Sequence, residues 1–334
     1  MALGQRHRKS TATGRTLATV AGLLAGAYAV RRLVAARRLQ ELRDKVVLIT
    51  GGSRGLGLLL AREFGRRGCR LAICARDEAE LHRARLGLTN RGFEAFASVC
   101  DVAEPEAVDH MVAEVLAHYG RIDIVVNNAS VMHVGALESM DLLDFRQAMA
   151  VNYWGTVHTT LATLDALKAA GEGRIVNICS IGGKVAVPHL LPYDAAKFAV
   201  LGFSEGLRAE LAADNISVTT IVPGLMRTGS FAHATFKGDQ VGEFTWFSTL
   251  ASEHATTIDA RSAARRIVAA AASRRAEVIL GLHARLAALA RALAPGALTG
   301  VLGLFSRFLP HSTHKSVGLS GRTVAATVNR ARYS

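Results

Sequence analysis

The sequence predicts a doubly wound α/β fold, a parallel sheet covered by helices on both faces, and three observations carry that reading. From Lys45 onward, short β-branched and aliphatic runs alternate with longer segments of helical spacing. The strand runs are apolar along their length, as strands buried on both faces must be. The first of them ends in a glycine-rich turn that opens directly into a helix.

Taken in order, Lys45–Thr50 reads as a buried strand and Leu56–Arg67 as the helix after the turn. Arg70–Cys74 is a second strand, Glu78–Leu86 a helix and Ala95–Val99 a third strand. Pro105 opens a helix running to Tyr119, where proline is tolerated in the first turn. Ile122–Val126 is the fourth strand, Leu142–Ala170 one long helix and Arg174–Cys179 the fifth strand. Tyr193–Ala213 is helical, Ser217–Val222 a strand, Asp259–Ser273 a helix and Glu277–Leu280 a last short strand. The chain shows no internal repeat. It divides into a segment 1–43, a single domain over 44–280 and an extension over 281–334.

The formal charge of +13 is unevenly placed. Residues 1–45 carry 10 basic and 2 acidic residues, and residues 261–334 carry 12 basic residues against Glu277 alone. The middle, 46–260, is mildly acidic, with 18 basic and 24 acidic residues. Neither basic end interleaves stacking aromatics with its charge, which argues against a nucleic-acid partner. Arginine alternating with aliphatic stretches fits an anionic membrane surface better. Cys69, Cys74, Cys100 and Cys179 show no metal-ligand spacing and read as buried free thiols, so no metal is expected.

Residues 16–30 carry no charge and are flanked on both sides by arginine. Fifteen residues fall short of the ~20 that span a bilayer, although arginine side chains can snorkel. An uncleaved anchor or interfacial helix is the favoured reading, with the catalytic domain on the cytoplasmic side. A signal peptide ending near Ala27-Tyr28-Ala29 and a helix packed on the domain are the rivals. In the latter case the protein is simply cytoplasmic. In the extension, Leu282, Leu286, Leu289 and Leu293 mark one helical face, Pro295-Gly296 breaks the run, and 297–309 form a second apolar stretch. Packing back on the domain is the default for such helices, and membrane contact is the sharper alternative.

Thr50-Gly51-Gly52-Ser53-Arg54-Gly55-Leu56-Gly57 lies where a dinucleotide pyrophosphate sits in this class of fold. Glycines let the backbone approach the phosphates, and the helix N-terminus offers free N–H groups and a partial positive charge. The end of the second strand reads Cys74-Ala75-Arg76-Asp77. Arg54 and Arg76 suit a ribose 2′-phosphate, so NADP(H) is favoured over NAD(H). A shift of one position would instead make Asp77 a ribose acid.

With Asn127-Asn128-Ala129, Asn152, Ser180, Tyr193-x-x-x-Lys197 and Pro223-Gly224, this turn resembles the short-chain dehydrogenase/reductase family, single-domain type with a Rossmann fold. The resemblance covers 44–280. It implies Tyr193 as general acid or base, with Lys197 lowering the phenol pKa and holding the nicotinamide ribose. It implies Ser180 on the substrate oxygen and Asn152 supporting a water that links Lys197 to solvent. It places the cofactor against Gly51, Ser53, Arg54, Gly55, Leu56, Gly57, Arg76, Asp101, Val102, Asn128, Ala129, Pro223, Gly224 and Thr228. It also implies a homodimer or homotetramer formed through the helices 142–170 and 193–213. Ser130 departs from the family pattern, which continues with glycine, and puts the local backbone geometry in question.

Phe231, Phe236, Phe244, Trp246 and Phe247 place five of the 19 aromatics between Gly229 and Ile258, where the family covers its substrate. Such a lid fits a bulky apolar substrate, and packing among lid helices explains the aromatics nearly as well. The expected function is an oxidoreductase interconverting an apolar carbonyl and a secondary alcohol. The alternatives are a catalytically silent dinucleotide sensor or scaffold at the membrane, and a sugar-nucleotide epimerase, which the glycine spacing disfavours.

Overall fold

Val46–Thr50 (β1) shows why the central sheet is covered twice. Val47 and Ile49 pack into one core with Leu60, Phe64 and Ile267, while Val46 and Leu48 pack into another with Val108, Met111 and Val115. Alternate side chains of one pleated strand thus meet opposite helical layers. The computed structural model describes residues 26, 30, 32–227, 229–252, 257–311 and 316–333.

Six further strands complete the sheet: β2 (Arg70–Ala75), β3 (Ala95–Val99), β4 (Ile124–Asn127), β5 (Gly173–Ile178), β6 (Ile216–Pro223) and β7 (Glu277–Leu280). Their order is β7-β6-β5-β4-β1-β2-β3, and every pairing is parallel. Helices α1 (Gly55–Arg66) and α2 (Glu78–Thr89) contribute to the first core. Helix α3 (Pro105–Tyr119) lies in the second. The strand order reverses between β1 and β4, which leaves a crevice at their carboxyl ends. The four cysteines are buried and form no disulfide.

The long helix expected over Leu142–Ala170 is interrupted. Helix α4 (Leu142–Ala148) leads into a π-helical turn, Met149–Trp154, before α5 (Gly155–Ala169) resumes. Gly155 sits so close to Val102 that a side chain there would strike its Cγ2. The wide turn places Asn152, fully buried, opposite the backbone of Val131. Apolar periodicity carries no mark of one extra residue in a turn, so a π-turn of this kind is silent in sequence.

Helix α6 (Leu191–Glu210) carries the Tyr–Lys pair, and α7 (Gln240–Ser252) forms the lid. Helix α8 (Ala260–Ala272) returns to the sheet, capped by Asp259, which accepts from Ser262 N. The extension forms α9 (Leu282–Leu293), α10 (Pro295–Ser306) and α11 (Gly321–Tyr333). Its default packing onto the domain fails for one face. Leu282, Leu286, Leu289 and Leu293 are 72, 56, 54 and 76 % exposed, because α9 turns only its alanine side, centred on buried Ala284, inward. The apolar stretch 16–30 lies outside the described residues except for Gly26 and Val30. Among the described residues, no helix is long and apolar enough to cross a membrane.

Candidate active site

A cavity of about 1060 Å³ runs from the glycine turn, past Tyr193 and Lys197, to the lid. At one end the backbone makes the site. Gly51 (φ 64°) and Gly55 (φ 52°) occupy the left-handed region that glycine tolerates. Gly57 does not line the cavity; it allows closure from behind, since a Cβ there would collide with the carbonyl oxygen of Gly51. Arg54, at the N-cap of α1, makes no side-chain capping bond, so the first-turn N–H groups stay available to an anion. Asn128 Nδ2 donates to Thr50 O at 2.9 Å and Gly51 O at 3.2 Å, tying the turn to β4. The cradle therefore fits a dinucleotide pyrophosphate.

Ser53, Arg54, Leu56, Arg76, Asp101, Val102, Ala129, Pro223 and Gly224 line the same cavity. Arg54 Nη1 donates to Glu80 Oε2 at 2.6 Å, and Arg76 Nη1 to Asp101 Oδ2 at 3.4 Å. Asp77 also lines the cavity while one of its oxygens caps α2, accepting from Glu80 N at 2.8 Å. Ser130 does not take a left-handed φ, so glycine is not required at that position. Thr228 lies outside the described residues.

Tyr193, Lys197 and Ser180 meet on the cavity wall; Asn152 does not reach it. Four residues of helix place Tyr193 and Lys197 on one face, with Lys197 Nζ 5.6 Å from the Tyr193 ring centre. Nζ donates to Ile178 O at 3.0 Å, and burial pushes the ammonium down to about 8. Burial likewise pushes the Tyr193 phenol up, with Ser180 pulling the other way. In the protein alone, desolvation is the largest influence on this phenol. Ser180 Oγ accepts from Gly182 N at 3.0 Å, which fixes the hydroxyl at the end of β5. Asn152 exchanges two bonds of 3.0 Å with the backbone of Val131, so its side chain pins a cavity-lining loop.

The other end is made by side chains. Of the five lid aromatics, Phe231, Phe236 and Phe244 pack among themselves, whereas Trp246 and Phe247 also line the cavity. Val185, Val187, Leu190 and Leu250 extend this apolar wall. Sequence reasoning missed the share contributed by the extension: His283, Ala284 and Ala287 of α9 and Leu298 and Leu302 of α10. His283 Nε2 is buried without a partner next to Gly224. The signal available was the alanine side of α9, small enough for close approach, which the bulkier leucine stripe obscured.

A parallel sheet with a glycine turn after β1 and a buried Tyr–Lys pair on α6 defines a dinucleotide-dependent oxidoreductase. The comparison with known proteins agrees. The family profile described as short chain dehydrogenase matches residues 45–237, and the chain belongs to that family of NAD(P)-dependent oxidoreductases. A dehydrogenase/reductase SDR family protein 7-like from Anopheles gambiae is 42% identical over 202 residues, which cover 58% of this chain and 62% of that protein. The chain thus spans less than two thirds of that relative. A putative ketoacyl reductase of Streptomyces coelicolor is 38% identical over 187 residues, 55% of this chain and 72% of the relative. The crystal structure of a gluconate 5-dehydrogenase from Burkholderia cenocepacia with NADP and tartrate superposes with a TM-score of 0.64 at 27% identity. That match covers 74% of this chain and 98% of the other.

Proposed function

We propose that this protein is an NADP(H)-dependent oxidoreductase that interconverts a carbonyl and a secondary alcohol on a bulky apolar substrate at a membrane surface. The observation that carries the reading is the continuity of one cavity from the glycine turn, past Ser180, Tyr193 and Lys197, to an apolar wall. The bound dinucleotide supplies or takes the hydride. In reduction, Ser180 holds the substrate oxygen and Tyr193 donates its phenolic proton to it; in oxidation Tyr193 takes the proton back. Lys197 steadies the phenolate and the cofactor ribose. The Asn152 side chain is engaged by Val131, so its part in a proton route falls to its main-chain oxygen, which accepts from Thr156 Oγ1 at 2.9 Å and has a second lone pair for a water.

Arg54 and Arg76, both lining the cavity, support NADP(H). The catalytic unit assigned to 44–280 is completed from beyond its end by α9 and α10. The exposed leucines of α9 support contact with an anionic membrane on the cytoplasmic side, since no acidic residue follows Glu277. Exposed Trp154, Leu161 and Phe198 on α5, α6 and the π-turn support pairing of two copies through those helices.

A panel of apolar ketones run with NADPH and NADH in parallel tests the chemistry. Turnover is expected with NADPH, and Tyr193→Phe should lower kcat at least about 10²-fold while leaving NADPH binding within a few-fold. Cofactor binding without turnover on any ketone would overturn the assignment. Full-length protein should sediment with phosphatidylcholine vesicles containing phosphatidylserine; protein left in the supernatant would remove the membrane from the proposal and leave the chemistry standing.

A further inference from the structure

The chain beyond α10 comes back to the cofactor end of the cavity. Leu319–Ser320 pairs antiparallel with Thr235–Phe236, which itself runs parallel to His133–Val134. Gly321 N donates to Ala234 O at 3.0 Å, and a Cβ on Gly321 would collide with the carbonyl oxygen of Phe231. Val324, 1 % exposed, packs in one cluster with Phe236, Phe244 and Phe247. The start of α11 is thus fixed, at backbone level, to the 3-10 turn Ser230–His233 that follows β6.

That attachment sets where Arg322 stands. Its Nη2 lies 3.3 Å from His233 Nε2 and 3.9 Å from Glu80 Oε1. The other oxygen of Glu80 accepts from Arg54 Nη1 at 2.6 Å and from Ser53 Oγ at 3.3 Å. Two guanidiniums and an imidazole therefore gather around one carboxylate beside the glycine turn. Burial and, after it, the charges of Arg54 and Arg322 hold His233 below the usual histidine range. Arg54, His233, Arg76 and Asp77 line the cavity, Arg76 is balanced by Asp101, and Arg322 stands behind this lining in contact with His233. The cluster carries more positive charge than Glu80 can neutralise. Arg322 does not hold the fold together: two thirds of its side chain is exposed, and its carboxylate contact is long.

We propose that the C-terminal segment is a strap that carries Arg322 to the phosphorylated adenosine ribose of the cofactor, where it helps select NADP(H) over NAD(H). A phosphate dianion supplies the charge that one carboxylate does not, and guanidiniums bind it in a directed, charge-assisted way. Arg322 comes from outside the dinucleotide-binding unit, so cofactor choice depends on a segment that the β1–β2 region does not contain. This inference rests on the NADP(H) reading above.

Binding without turnover tests it. Full-length protein is titrated calorimetrically with NADPH, NADH and 2′,5′-ADP. Arg322→Ala should raise Kd for NADPH and for 2′,5′-ADP about tenfold, the low end for a hydrogen bond to a charged group, and leave NADH within about twofold. Arg322→Lys should recover part of the loss. Equal weakening of NADPH and NADH would place Arg322 on the pyrophosphate or in the lid and overturn the proposal, as would no change in either. A wild-type preference for NADPH left undiminished by Arg322→Ala would overturn this inference alone. Wild-type protein binding NADPH and NADH equally would overturn the NADP(H) reading and this inference with it.

Discussion

The two ends of the cavity are built by opposite means. At the pyrophosphate cradle the backbone makes the surface: glycines in left-handed conformations, an uncapped helix N-terminus and strand ends in fixed register. At the substrate end side chains make it, drawn from the β5–α6 loop, the lid and two helices of the extension. Backbone geometry is dictated locally by a few residues, so it admits little variation. A side-chain wall can be repacked from distant parts of the chain, and its shape depends on what holds those parts together.

Glu243 holds two of them together, the loop and the lid. It is 1 % exposed, lies 2.6 Å from His189 Nδ1 and accepts from Trp246 Nε1 at 2.6 Å. One carboxylate thus joins the lid helix to the β5–α6 loop, where His189 takes a left-handed φ of 67°. Glu243→Ala would leave both half-buried partners without their acceptor, at up to about 1–3 kcal/mol each. The expected outcome is a KM for an apolar ketone at least about tenfold higher, the equivalent of ~1.4 kcal/mol, with NADPH Kd within about twofold. Glu243→Gln can still bond Trp246 and should retain most of the wild-type behaviour. If NADPH binding weakened as much as substrate binding, the two ends would be one mechanical unit and the contrast would fail.

The same contrast explains what was legible in the sequence. The strands β1–β7 and the glycine turn could be read because buried parallel strands and left-handed turns each demand particular residue types at particular spacings. Tyr193 and Lys197 could be paired because helical periodicity alone puts them on one face. Asn152 was legible as a position but not as a geometry, since its π-turn depends on Val131, twenty-one residues away. His283, Leu298, Leu302 and Arg322 were not legible as site residues. Their placement follows from docking of the extension, through the contact of Gly321 with Phe231 and of α9 with Gly224, and no local pattern encodes it.

Where the two ends meet, two buried groups titrate in the same range, and this gives the smallest expected effect. Burial pushes Lys197 down to about 8 and the carboxyl of Asp194, next to Tyr193, up to about 8. Loss of the Lys197 proton removes the cation that steadies the phenolate, so kcat should fall as pH rises through about 8. Ionisation of Asp194 would add an anion next to Tyr193 over the same interval and produce a similar limb. Asp194→Asn separates them, because an amide oxygen can still accept the bond of 2.6 Å from Val187 N. A limb that persists near pH 8 in the variant belongs to Lys197; a limb that disappears belongs to Asp194. Stability gives an independent reading with a fixed sign. A carboxyl raised in the folded state favours folding fully only below its ordinary pKa of 3.8, and this advantage is lost as pH rises toward about 8. The melting temperature of Asp194→Asn should therefore gain on the wild type between pH 4 and pH 8 and keep a constant lead above it. A lead that did not change with pH would mean that Asp194 is ionised throughout, leaving the alkaline limb to Lys197 alone.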